Sequence, residues 1–169
     1  LNAICQGYLS LIRGTPVMVQ LLIIYFVLLA PLQINKFIAA VICFGINSGA
    51  YMAELVRSGI NAVDPGQMEA GRSLGMSKLQ AMKKIVLPQA VRNILPAIGN
   101  ELIALLKETS VAGYVAVVDL TRAGNLVRNN TYDAVNPLLT VAVVYLSLVV
   151  LLSRLLVLFE RRLNRSAKR

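Results

Sequence analysis

The stretch AVNPLLTVAVVYLSLVVLLS, residues 134–153, contains 20 residues and no charged side chain. A helix rises about 1.5 Å per residue, so this stretch can cross the roughly 30 Å hydrocarbon layer of a bilayer. Two further uncharged stretches, residues 17–35 and 37–53, lie nearer the start of the chain. None of the three alternates in hydrophobicity as the strands of a membrane barrel do. The sequence therefore predicts an all-α integral membrane protein.

The composition of the chain agrees with a membrane location. Hydrophobic residues make up 57% and charged residues 15% of it, against about 45–50% and 25% in soluble domains. These values exclude a soluble globular domain and a disordered chain. Histidine is absent and the two cysteines form no CxxC pair, so we predict no metal site and no bound cofactor. A Walker A motif is also absent, so any ATP-driven work would have to be done by another chain, and we expect this chain not to be an enzyme.

Four membrane spans are predicted within a single transmembrane domain, residues 1–169. They cover residues 16–30, 37–56, 90–106 and 134–159. Pro31 is expected to end the first span, and Arg92, Pro96 and Glu101 weaken the third. The apolar segment 110–118 is too short to span and, with residues 119–128, is predicted to form an interfacial or re-entrant element.

The placement of basic residues predicts the topology. With four spans, 13 of the 17 Lys and Arg residues fall on one face of the membrane. The positive-inside rule puts that face, with both termini and the loop 60–88, in the cytoplasm. The basic C-terminal tail then lies where it attracts anionic lipid, so we interpret it as a topology anchor rather than a nucleic-acid-binding segment.

The loop 60–88 carries its own helix signals. Asp64 before Pro65, with Gln67 three residues on, has the spacing of a capping box and starts a helix over 65–74. Gly75 suits a left-handed C-terminal position, and Ser77 with its own glutamine three residues on opens a second helix that continues to about residue 87. Pro88 is expected to end or kink this second helix.

The hairpin that results allows two interpretations. Its small residues can serve only to pack the hairpin against its own membrane helices. Alternatively, the capped helix 65–74 docks into a groove on a partner. The residues by themselves leave both open.

One motif in this loop resembles the EAA signature of ABC importer permeases, which reads Glu-Ala-Ala, three residues, Gly, nine residues, Ile-x-Leu-Pro. Here the corresponding residues are Glu69, Ala70, Gly71, Gly75, Ile85, Leu87 and Pro88. The spacing matches throughout, and the one departure is Gly71 in place of the second alanine. The resemblance implies that these residues couple the permease to an ATPase.

Other segments are similar to polar amino acid permeases of the histidine/glutamine type. They are Arg13-Gly14-Thr15-Pro16, residues 47–54, 99–103, 107–110 and 119–122, and the tail 155–163. This resemblance covers nearly the whole chain and implies the type I ABC importer permease fold. Members of the family have five membrane helices, so with four predicted we expect the chain to lack the N-terminal one.

The resemblance also implies partners and a location. An ATPase subunit dimer would hold ATP and Mg, an extracytoplasmic binding protein would deliver the amino acid, and a second permease chain, identical or different, would complete the pathway. The location implied is the bacterial cytoplasmic (inner) membrane. The alternative is a structural membrane subunit of another multi-chain complex, which would show no ATP-dependent uptake.

Polar residues inside the spans are costly and are therefore functional candidates. Asn47, Tyr51 and Glu54 are spaced to share one helix face. Together with residues of the first and third spans they form the predicted substrate pathway: Gln20, Asn47, Tyr51, Glu54, Asn100 and Glu101. The other interpretation is that the side-chain amides of Gln20, Asn47 and Asn100 only form hydrogen bonds that hold the helices together.

Overall fold

We obtained a computed structural model that describes residues 2–166, with side chains described as far as Arg161. The described residues form helices and turns and contain no strand. The fold is that of an all-α membrane protein, as predicted. Within residues 2–166, eight α-helices follow one another: α1 Asn2–Arg13, α2 Val17–Leu22, α3 Lys36–Asn61, α4 Pro65–Ser73, α5 Lys78–Ala81, α6 Leu87–Glu108, α7 Leu120–Thr131 and α8 Val135–Ser166.

Two helices in the described part of the chain are long and apolar enough to cross a bilayer. They are Lys36–Asn61 and Val135–Arg161. A third candidate is a bent pair, in which Asn2–Arg13 and Val17–Leu32 meet at 104°. The predicted span 90–106 lies inside α6, which is not among them, so the count of four spans stays a prediction.

The first span is more complex than the sequence predicted. The predicted segment 16–30 misses α1, because the polar side chains of Gln6 and Ser10 interrupt its apolar pattern. After α2 the chain widens into a π-helix over Ile23–Leu29 and tightens into a 3-10 turn over Ala30–Leu32. Pro31 therefore lies inside the last turn of this segment and does not end it as predicted, and Gln33 ends the segment in a left-handed conformation, φ 50°.

The prediction that Pro88 ends the second hairpin helix is wrong, and a kink at Pro88 stays a prediction. A π-helical turn over Met82–Val86 joins α5 to α6, so residues 78–108 form one helical run. The N–H of Leu87 donates to the carbonyl of Met82, five residues back. Pro88 has no N–H to give, and this widened turn just before it accommodates the missing hydrogen bond.

The helices cluster into two compact units. The first takes in the described residues up to Tyr51 together with 102–153, and the second residues 52–101 with those from Arg154 onward. The buried core of the first unit is Leu21, Ala40, Cys43, Phe44, Ala112 and Val115. That of the second unit is Val63, Val86, Ala90 and Ile94.

Helix α8 begins with a side-chain cap. The carboxylate of Asp133 accepts hydrogen bonds from Asn136 Nδ2 (2.6 Å) and from the backbone N–H of Val135 (2.9 Å). These bonds, the Asn136 side chain first, lower the pKa of Asp133 because they favour the ionised carboxylate. Beyond this cap, only 6% of the most apolar stretch of α8 is buried, so its side chains are left to face lipid or another chain.

Candidate functional site

The predicted hairpin is present and begins as expected at Asp64. Its carboxylate Oδ1 accepts a hydrogen bond from the N–H of Gly66 at 2.8 Å, and Pro65 occupies the first helical position. The capping box predicted with Gln67 does not form. The Gln67 side chain instead accepts a hydrogen bond from Gln89 Nε2 at 3.3 Å, which ties α4 to the start of α6.

Helix α4 ends in a Schellman motif at Gly75. The N–H of Met76 donates to Gly71 O at 3.2 Å, and the N–H of Gly75 donates to Arg72 O at 3.0 Å. Gly75 has φ +83°, the left-handed conformation predicted for it. A Cβ added there would meet no atom within 4 Å. Glycine is therefore required by backbone conformation and not by space.

The second hairpin helix starts with the predicted capping box. Ser77 Oγ accepts from the N–H of Gln80 at 3.3 Å, and Gln80 Oε1 accepts from the N–H of Ser77 at 2.9 Å. Further along, Gln89 Nε2 donates to the carbonyl of Ile85 at 3.0 Å. The hairpin is thus fixed at both ends of its second helix by side-chain amides.

Gly71 is the point where the two hairpin helices touch. It is buried, and a Cβ there would lie 2.7 Å from Ile85 Cδ1 and 3.1 Å from Ala81 Cβ. The departure from the second alanine of the motif therefore allows a closer approach of α4 to the segment that follows Ser77. Met68 packs on the same side, against the core cluster of the second unit.

The predicted coupling residues thus divide into two groups. Gly71 and Ile85 lie inside the hairpin, whereas the side chains of Glu69 and Ala70 are exposed. Leu74, at the end of α4, is 80% exposed. Leu87 and Pro88 are exposed where the helical run continues toward α6. We call the exposed surface of Glu69, Ala70 and Leu74 the α4 face.

Two of the predicted pathway residues bind each other in the first unit. Asn47 Nδ2 donates to Gln20 Oε1 at 3.0 Å, and both residues are buried. Gln20 Nε2 lies within hydrogen-bonding distance of Ile12 O (2.6 Å) and of Thr15 O and Oγ1 (3.0 and 2.8 Å). The carbonyl of Ile12 belongs to the last turn of α1, where helix carbonyls lack partners within the helix.

Gln20 and Asn47 therefore hold the bend between α1 and α2. Thr15 Oγ1 assists by donating to the carbonyl of Leu11 at 2.8 Å. This geometry explains in physical terms why a glutamine follows Arg13-Gly14-Thr15-Pro16 by four residues. It supports the hydrogen-bonding interpretation of these two amides.

Gln20→Leu is expected to destabilise the protein, because it leaves the Ile12 carbonyl and the Asn47 amide buried without partners. Each such orphaned group costs about 1–3 kcal/mol. Thermal unfolding of the purified full-length protein in detergent measures the loss. Gln6→Leu, the same change at an exposed position of α1, is the control and should leave the midpoint unchanged. Equal midpoints for both variants would contradict the role assigned to Gln20.

The remaining predicted pathway residues lie on α3 and α6. Tyr51 lies under the guanidinium of Arg13, whose Cζ is 5.6 Å from the ring centroid. Glu54 forms an ion pair with Arg57 one turn further along α3. On α6, Asn100 is exposed and Glu101 is half-buried. Their assignment to a substrate pathway stays a prediction.

The match to a family model decides the family. Residues 1–165 match the family described as "Binding-protein-dependent transport system inner membrane component". The chain belongs to this family.

Several known proteins are similar to the chain over most of its length. The arginine transport system permease protein of Bacillus subtilis is 42% identical over 163 residues, which are 95% of this chain and 74% of that protein. The glutamine transport system permease protein of Escherichia coli is 38% identical, covering 96% and 76%. A crystal structure of an amino acid ABC transporter with histidines matches with a TM-score of 0.88 and 46% identity over 93% of this chain and 74% of that one. The fold is thus that of an ABC importer permease.

Proposed function

We propose that the chain is the permease subunit of an ATP-binding cassette importer that moves a polar amino acid across the bacterial cytoplasmic membrane. The observation that carries the proposal is the capped hairpin with its exposed α4 face. Arginine and glutamine in the names of the relatives support an amino acid as the substrate class. ATP and Mg are bound by the partner ATPase in this proposal.

The α4 face gives the hairpin its proposed partner. Glu69 and Ala70 are exposed while Gly71 holds α4 against Ala81 and Ile85. A short, rigid helix with a small exposed residue at its centre fits into a groove on another protein. A partner can shift the permease between two states only if it contacts them differently, so docking of the α4 face to a moving ATPase provides the coupling.

The proposed importer contains further subunits besides the ATPase. An extracytoplasmic binding protein delivers the amino acid, and a second permease chain completes the pathway through the membrane. Both termini and the hairpin lie in the cytoplasm, supported by the uneven distribution of Lys and Arg. Among the predicted pathway residues, Glu101 has a carboxylate in a predicted span. Charged side chains are costly there, and those that occur usually have a function, so Glu101 is a candidate.

The experiment is ATP-driven uptake. The full-length permease is reconstituted in vesicles with its ATPase, and the binding protein is added on the side opposite the ATPase. We expect uptake of at least one of radiolabelled arginine, glutamine or histidine that requires hydrolysable ATP and the binding protein. A structural subunit of a different complex would give no uptake of any polar amino acid, and that result would reject the proposal.

A further inference from the structure

A polar cavity lies in the first unit, beside the turn that precedes α7. Its volume is about 380 Å³, within the range of about 300–1,000 Å³ typical of small-molecule sites. Four of its side chains carry hydroxyl or amide groups and one is a guanidinium. The lining residues are Ser110, Gly113, Tyr114, Thr121, Arg122 and Asn125.

Local structure fixes the guanidinium in this cavity. Asp119 Oδ1 caps α7 by accepting from the N–H of Arg122 at 2.7 Å. The 3-10 turn Thr109–Val115 then brings Gly113 against Arg122, and a Cβ on Gly113 would lie 3.2 Å from Arg122 Cβ. Arg122 Nη1 donates to Gly113 O at 2.8 Å, which fixes the side chain along the cavity wall.

Within the described part of the chain, these contacts leave the positive charge of Arg122 without a negatively charged partner. No carboxylate lies within ion-pair distance of its guanidinium among the residues that the structure describes. The guanidinium has five N–H donors in a planar fork that matches a carboxylate, and one nitrogen is engaged by Gly113. A partly buried cation with free donors in a polar cavity favours an anionic ligand.

A carboxylate near the cavity, which accepts hydrogen bonds and donates none, is also incompletely satisfied. Asp119 Oδ2 is buried and has no hydrogen-bond partner among the described residues. The same carboxylate lies close to Gly113 in the cavity wall, 3.3 Å from the position of an added Cβ. Cavity, cation and hydroxyl groups thus meet at one place, on a segment that the predicted topology puts on the extracytoplasmic side.

We propose that this cavity binds the α-carboxylate of the transported amino acid, with Arg122 as the residue that contacts it. The inference rests on the proposed function, because it takes the substrate to be a free amino acid. Thr121 and Asn125, which precede and follow Arg122 along α7, supply hydrogen-bonding groups for the rest of the backbone of the amino acid. Since every amino acid carries an α-carboxylate, this site recognises the class and leaves side-chain selection to other residues.

The test uses the full-length permease–ATPase complex in neutral detergent without the binding protein. The twenty L-amino acids are screened by thermal shift, and the best ligand and its α-amide are then titrated by calorimetry. We expect Arg122→Gln to weaken binding of the amino acid by about 10- to 100-fold, the usual effect of losing a hydrogen bond to a charged group. The α-amide should bind the wild type weakly, and Arg122→Gln should not change the affinity for the amide.

Arg128→Gln is the matched control, because it removes the same charge from the same helix outside this cavity. It should bind the amino acid as the wild type does. Equal affinities for the acid and the amide, or no loss in Arg122→Gln, would overturn the inference, as would the absence of any amino acid that binds the wild type.

Uptake in vesicles separates the two proposals. ATP-driven uptake with an unchanged KM in Arg122→Gln overturns the carboxylate site and leaves the importer function standing. A loss seen only when the binding protein is present, with free amino acid binding intact, also overturns the site, because Arg122 then contacts that protein. Absence of uptake by the wild type rejects the importer function itself.

Discussion

Ala70→Arg is expected to reduce ATP-driven uptake to background and to separate the ATPase from the permease during purification. The side chain of Ala70 is exposed on α4, so arginine can be accommodated without disturbing the fold of the hairpin. At the centre of a docked helix, however, a long charged side chain both fills the groove and must lose its water. We expect association with the ATPase to weaken by at least about tenfold.

Ala70→Ser is the size-matched control, since serine is nearly as small as alanine and remains at the same position. It should retain both uptake and ATPase association. The thermal unfolding midpoint of the isolated permease should be the same for both variants. If Ala70→Arg transports and binds the ATPase as the wild type does, the α4 face is not the coupling surface.

Gly75→Val is expected to cause the second large loss of transport, for a different reason. Gly75 has φ +83°, a conformation that costs a residue with a side chain about 1–2 kcal/mol and a β-branched one more. Because space around the added Cβ is open, this cost comes from the backbone alone. The Schellman hydrogen bonds from Gly75 and Met76 should be lost, and the end of α4 should shift.

Gly75→Asn is the control for backbone conformation, because asparagine adopts the left-handed region more readily than other residues. We expect uptake to follow the order wild type, Gly75→Asn, Gly75→Val. Measured ATPase co-purification should fall in the same order. Full uptake in the valine variant would show that the turn at Gly75 does not position the coupling helix.

Features of the hairpin that depend on neighbouring residues could be predicted from the sequence. The caps at Asp64 and Ser77 and the left-handed glycine at 75 are confirmed because each depends on residues only a few positions apart. The uncharged stretches likewise predicted α3 and α8, since lipid accepts only segments whose backbone is internally bonded. Local chemistry and the bilayer constraint were sufficient for these parts.

Features that depend on distant residues could not be predicted in the same way. The partner of Gln67 is Gln89, and the partner of Gln20 is Asn47, at separations of 22 and 27 residues. The amide of Gln20 was a pathway candidate because a buried polar residue looks the same in sequence whether it contacts a ligand or a carbonyl. The bend that separates α1 from α2 is held by this contact between distant residues, so the sequence does not predict the bend.

The polar cavity at Arg122 is another feature that the sequence does not predict. In the sequence, the segment 119–122 stands out only by its resemblance to the permease family. The signal available in the sequence was Asp119 as a helix cap three residues before an arginine. The approach of Gly113 to that arginine requires the tertiary structure.

Docking of the α4 face on an ATPase is tested most directly by photo-crosslinking from residue 74. Leu74 is 80% exposed at the end of α4, so a photoreactive aromatic residue can replace it without disturbing the core. Leu139, 59% exposed on α8, is the control that should contact lipid. In the full-length complex we expect a crosslink to the ATPase from position 74, with a yield that changes when ATP is added, and no crosslink to the ATPase from position 139. Crosslinks from position 74 only to the permease itself, or to no protein, would contradict it.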